Sequence, residues 1–208
     1  DSEISQIEGV IATVATSIYE RGKPASYFWR EEQNGDHFQS TAEKIIDCLG
    51  SNYHIPPALT GRIKSKVKQR LKVACKGNLR SPTEVRPIHR QPGGSIFEIK
   101  WDHLPVSHTP SLASGIYENI EVRVRLYYYQ QPDAQAVAGE KPWGVGLRVH
   151  EKKILATTEE TNFEQNREID NAVAYHEAHQ GLRWHVAELQ MQDAISKESL
   201  DAEHEKSQ

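Results

Sequence analysis

From residue 120 to residue 129 the chain alternates without a break. Ile120, Val122, Val124, Leu126 and Tyr128 fall on one side; Glu121, Arg123, Arg125, Tyr127 and Tyr129 fall on the other. A period of two is the signature of an extended strand, because successive side chains leave a pleated backbone on opposite faces. A strand cannot satisfy its own backbone N–H and C=O groups, so this one demands neighbours. Two segments can supply them. Over 96–101, Phe97, Ile99 and Trp101 alternate with Glu98 and Lys100; over 143–150, Val145, Leu147 and Val149 alternate with Gly144, Gly146, Arg148 and His150. The connections 103–118 and 130–142 are longer than tight hairpins and are candidate functional loops.

Helical spacing accounts for the rest. Ile4, Ile7, Val10, Ile11, Val14 and Ile18 predict a helix over 3–20, stopped at Gly22-Lys23-Pro24. Thr41 reads as the cap of a helix over 42–49 that ends at Gly50. Leu59, Ile63, Val67, Leu71 and Ala74 form the stripe of a helix over 58–76. A last helix is expected from Thr161, with Glu164 completing a capping box, to about Gly181; Phe163, Ile169 and Val173 lie on its apolar side. The expected class is therefore α+β: a small antiparallel sheet with preceding helices and a C-terminal helix. Residues 1–58 read as an N-terminal helical extension, 59–180 as the α+β domain and 181–208 as a polar, acidic tail.

Charge is segregated. Residues 59–90 hold ten Lys/Arg against one acid, Glu84, whereas residues 151–208 hold six Lys/Arg against thirteen acids, so the net charge of -4 conceals a basic middle and an acidic end. A dense basic helix is a polyanion-binding surface or a solvated face; Lys64, Lys68 and Lys72 are the candidate contacts. The two cysteines, Cys48 and Cys75, have no metal-site or framework spacing, which points to a reducing, cytoplasmic setting and leaves a disulfide between them open. No apolar run approaches the ~18 residues of a membrane span, so no membrane partner is expected. His176-Glu177-Ala178-His179 is one residue short of a zinc-protease motif, and neither a metal nor another cofactor is expected.

The chemistry concentrates on the polar sides of the last two strands. If they pair, Arg123, Arg125, Arg148 and His150 share a face, with Tyr127 and Tyr129 beside them and Lys152 and Lys153 following. One reading is a set of salt bridges to Glu98, Glu121 and Glu151. The other is a phosphate-binding hollow, since guanidinium forks match phosphate oxygens in pairs and tyrosines stack on bases. Such a group suits metal-free RNA cleavage by the substrate's own 2′-OH: cations hold the phosphate, and His150, titrating near ~6.5, exchanges protons.

The runs SIFEIKWD (95–102), IEVRVRLYYY (120–129), WGVGLRVHEKK (143–153) and TNFEQNREIDNAVAYHE (161–177) resemble the RelE/ParE-type toxin superfamily, especially its HigB-like, phage-derived branch, over about residues 59–178. The resemblance implies a RelE-like fold and a toxin-type endoribonuclease, a hydrolase of messenger RNA in the setting of the ribosome, silenced by a cognate antitoxin protein. It implies that Arg125 grips the scissile phosphate, that Lys152 and Lys153 are the basic pair after the last strand, and that His150 is the polar residue beside them. The alternative within the same fold is a non-catalytic binder, either of the gyrase-poisoning kind or a nucleic-acid-binding regulator that uses the basic helix. The chain is about twice the family's usual length, and Glu159 and Glu160 are unexpected beside an RNA path.

Overall fold

A computed structural model describes residues 16–32, 35–88, 95–108, 117–132 and 138–179. The greater part of the helix expected over 3–20, and the acidic tail, lie outside these residues. A 3-10 turn, Ile18–Glu20, opens the described chain, followed by β1 (Ser26–Trp29), α1 (His37–Gly50), α2 (Pro57–Cys75), β2 (Val85–Pro87), β3 (Ile96–His108), β4 (Glu118–Gln130), β5 (Trp143–Glu151) and α3 (Thr158–His179). The strands form one sheet in the order β1-β5-β4-β3-β2. β3, β4 and β5 make the expected antiparallel meander, β2 adds antiparallel to β3, and β1 adds parallel to β5.

Helices cover both faces. The stripe Ile63, Val67, Leu71 and Ala74 of α2 packs with Ala42, Ile45 and Leu49 of α1 against Phe97, Ile99, Leu126 and Tyr128. On the other face α3 lays Ile169, Ala172 and Val173 over Phe28, Ile96, Tyr127, Val145 and Leu147. Each aliphatic side chain so buried contributes roughly 1.5–3 kcal/mol.

The expected boundary at residue 58 is corrected. Residues 18–58 are not an extension: β1 pairs with β5, α1 packs against both, and Tyr19, Tyr27 and Trp29 belong to the larger core. The aromatic run Tyr27-Phe28-Trp29 is a strand with both faces buried, so it shows no polar alternation to announce it.

Helix starts also move. Asp36, not Thr41, caps α1, its carboxylate accepting from the backbone N–H groups of Phe38 and Gln39. Thr41 lies inside α1, buried, with its hydroxyl donating to His37 O and 2.9 Å from Tyr27 Oη. Thr157 and Glu160, rather than Thr161 and Glu164, cap α3 reciprocally. Phe163 is consequently rotated to solvent, while Gln165 and Glu168 turn inward.

Two bulges adjust the meander. In β3 the register shifts between Trp101 and Leu104, so that Asp102 and His103 stand against one β4 position. In β5, Tyr127 pairs with Arg148 but Tyr128 with Gly146, which passes over Leu147. The simple alternation expected for 143–150 is thereby corrected: Val145 and Leu147 join the α3 side with Arg148 and His150, whereas Gly144, Gly146 and Val149 face α1 and α2.

Candidate anion-binding site

The site lies on the α3 face, where the polar residues of β2, β3, β4 and β5 line up beyond the apolar part of α3. Arg125 of β4 stands opposite His150 of β5 and Lys100 of β3. Next along, Tyr127 stands opposite Arg148 and Glu98, and Glu98 stands opposite Arg86 of β2. The four cationic or titratable side chains expected to share a face therefore do so.

At its centre is Glu98, whose side chain has no solvent exposure. Arg86 Nε lies 2.5 Å from its carboxylate, Lys100 Nζ 3.7 Å and Arg125 Nε 3.9 Å, and Gln165 of α3 donates across 3.4 Å. Burying a carboxylate is costly unless cations and donors surround it, and here they converge from three strands and a helix. Asp102, on the same side of β3 as Glu98 and Lys100, sits 2.8 Å from Arg125 Nη2. Arg86, Lys100, Arg123, Arg125 and Lys152 thus gather around two carboxylates, Glu98 and Asp102. Arg123 and Lys152 make no ion pair with a described residue, although Lys152 N–H donates to Arg123 O at 2.8 Å.

Electrostatics register the imbalance. Burial, and then the charge of Arg86, lowers the pKa of Lys100 against the pull of Glu98. Burial, and then Arg125, does the same for Lys152. His150 is also lowered, by burial, against Glu168 and Glu164. Burial raises the Asp102 carboxyl, but Arg125, Arg123 and Lys100 outweigh it and hold it below its ordinary value. Both lysines are lowered chiefly by burial, with neighbouring guanidinium groups adding to it, so cations here outnumber the carboxylates that face them, and an anion would redress the balance.

Three buried polar atoms without a hydrogen bond fall in the same place, while the indole N–H of Trp101, in the larger core, is a fourth elsewhere. Arg125 Nε, Asp102 Oδ1 and Tyr127 Oη are buried without a hydrogen-bond partner. Arg125 Nη1 donates to Val124 O at 3.0 Å, so the guanidinium is anchored at one corner and under-used at another. Clustered unsatisfied groups in a folded core mark a place for a ligand or water.

Other candidates from the sequence are placed differently. Arg148 is on the correct face but bonded through Nε to Glu168 of α3. Tyr127 is corrected as a base-stacking platform, because it is wholly buried beneath α3 and His150 stacks near it at 6.5 Å. Tyr129 is half-buried and stacked on His176 at 4.0 Å, near the far end of α3. Lys64, Lys68 and Lys72 belong to α2, against the opposite face of the sheet; Lys64 pairs with Glu43 at 3.2 Å and Lys68 with Asp36 at 2.9 Å. The basic helix is therefore partly neutralised by α1 and lies apart from Arg125. Lys153 is exposed, just beyond the end of β5. Of the salt-bridge partners the sequence offered, Glu98 is realised, whereas Glu121 pairs with His103 and Glu151 accepts from Tyr53 and Asn52 on the other face.

Sequence reasoning missed Arg86, Lys100, Asp102 and Gln165 as members of the site. Lys100 could have been found, since it alternates with Trp101 on the same side as Glu98. Among the described residues no cluster of three or more His, Cys, Asp or Glu could hold a metal ion, and no helix is long and apolar enough to cross a membrane. Both cysteines are free thiols. No protein-family model, no curated protein and no solved structure matches the chain.

Proposed function

We propose that the α3 face of the sheet binds RNA through its phosphates and that the protein is a metal-independent endoribonuclease of the RelE-like toxin type. One observation carries the reading: five cations, two of them without an ion pair among the described residues, stand around two carboxylates beside a histidine, where buried polar atoms lack a hydrogen bond. Helices ahead of a small, largely antiparallel meander and a helix after it support the RelE-like assignment. In this reading Arg123, Arg125 and Lys152 neutralise the non-bridging oxygens, Lys153 and Arg86 contact flanking phosphates, and His150 exchanges the proton of the 2′-OH or the departing 5′-oxygen. A lowered His150 pKa favours the neutral ring that a general base requires. Messenger at the ribosome is the proposed substrate, and an antitoxin protein the proposed partner.

The test is induced expression of the wild type beside Arg123→Gln/Lys152→Gln and His150→Gln, with growth and transcript ends recorded. Wild-type cleavage, with a loss of roughly two or more orders of magnitude in His150→Gln, supports the reading. Absence of new transcript ends in the wild type rejects the nuclease.

A second reading has its own observation. Arg125 is held by Asp102 and Arg148 by Glu168, as in a surface that binds without reacting. RNA binding with a steep salt dependence and no turnover identifies that case.

A further inference from the structure

The β3 bulge serves the core: it resets the alternation so that Leu104 and Val106 face the larger core together with Trp101, and it leaves Asp102 on the face of Glu98 and Lys100, against Arg125. The Arg125 side chain is 6% exposed and that of Asp102 38%, so the carboxylate stands between the guanidinium and solvent. The contact is close, at 2.8 Å, yet Asp102 Oδ1 makes no hydrogen bond of acceptable geometry, and Arg125 Nε, although 3.9 Å from Glu98, has no hydrogen-bond partner. A fork built for two parallel bonds is occupied by an acceptor that makes neither well.

Resting on the reading above, we propose that Asp102 is a latch: it occupies the phosphate position on Arg125 in the free protein, and an incoming phosphodiester must displace it before the guanidinium can bind. Neutralising Asp102 leaves Arg125 a full positive charge to offer, while Glu98 still anchors it from beneath. The latch weakens binding of single phosphates, because displacing a carboxylate by one anion exchanges like for like. It favours ligands that bring further phosphates to Arg123 and Lys152, and so selects a polynucleotide over free phosphate.

The experiment measures binding of a fluorescent, cleavage-resistant 2′-O-methyl oligonucleotide to the 208-residue chain over a range of salt, for wild type, Asp102→Asn, Asp102→Ser, Asp102→Glu and Glu121→Gln. Glu121→Gln removes an acid of the neighbouring strand that pairs with His103 and not with Arg125. Asp102→Asn is expected to bind about three- to tenfold tighter, with a log-affinity against log-salt slope steeper by about 0.7, the increment for one more phosphate contact on a single strand. Asp102→Glu keeps wild-type behaviour. Asp102→Ser frees the guanidinium by a second route and answers for Asp102→Asn should that variant not fold. Neutral variants that fold but bind no tighter and keep the wild-type slope overturn the latch, as does equal tightening by Glu121→Gln. Separately, wild type and Arg123→Gln/Lys152→Gln binding the probe alike would overturn the reading of the whole face.

Discussion

Gly146 sits where β5 passes β1, and a Cβ there would run into Tyr27 Oη and lie 2.8 Å from the Trp29 ring. Gly144 is similar, with a Cβ 2.5 Å from Tyr19 Oη. These glycines belong to packing and not to the phosphate chemistry their neighbours serve. Gly146→Ala is expected to destabilise the fold by about 1–3 kcal/mol through overpacking, read as a lower thermal midpoint. Glu98 is the opposite case, a charge that the surrounding cations require. Glu98→Ala leaves Arg86 and Arg125 without their shared carboxylate; a loss of roughly 3–5 kcal/mol is expected, measured by denaturant unfolding. Part of this was legible in the sequence. Arg125 and Glu98 fall on one face by alternation alone. Asp102 continues the same alternation after Glu98 and Lys100, but its pairing with Arg125 depends on the register of β3 against β4, which neither strand states alone.

At the scale of elements, the strongly periodic segments are the ones that could be read: β4, α2 and the existence of α3. β1 and β2 have four and three residues and take their structure from pairing with strands far along the chain, so no local period reveals them. Both edges are guarded. Trp29 N–H donates to His37 Nδ1 at 3.1 Å, and Pro87 has no N–H to offer on the outer side of β2. α3 is the element on which the site depends: Ile169 and Val173 hold it to the sheet, and it brings Gln165 and Glu168 to Glu98 and Arg148. Ile169→Ala is expected to cost about 2–4 kcal/mol and to speed amide exchange in α3 before that in α1 and α2, which stand on the other face.

For the whole molecule, acid acts twice. The folded-state pKa of His150 lies below its ordinary 6.5, as does that of His176, in both cases chiefly through burial. A histidine with a depressed pKa binds a proton more readily when unfolded, so its stabilisation is complete above about pH 6.5 and is lost as pH falls below that value. Asp102 and Glu168 are also lowered, on balance by Arg125 and Arg148 respectively, and their contribution is lost at lower pH, below the ordinary carboxylate values of 3.8 and 4.5. The thermal midpoint is therefore expected to fall in two stages on acidification, and His150→Gln to reduce the first while leaving the second. A midpoint that is flat between pH 7 and 5 contradicts the placement of these rings.

The order in which the sheet is completed runs against the order in which the chain is made. Ser26 and Trp29 of β1 pair with Trp143 and Gly146 of β5, parallel and more than a hundred residues downstream. During synthesis Tyr27, Phe28 and Trp29 reach the solvent early and find their seat only after β5 has left the ribosome. Until then these three rings have α1 but not the sheet to pack against, and such long-range closure is slow. The emergence of β5, and not that of β1 itself, sets the moment at which β1 can join the sheet.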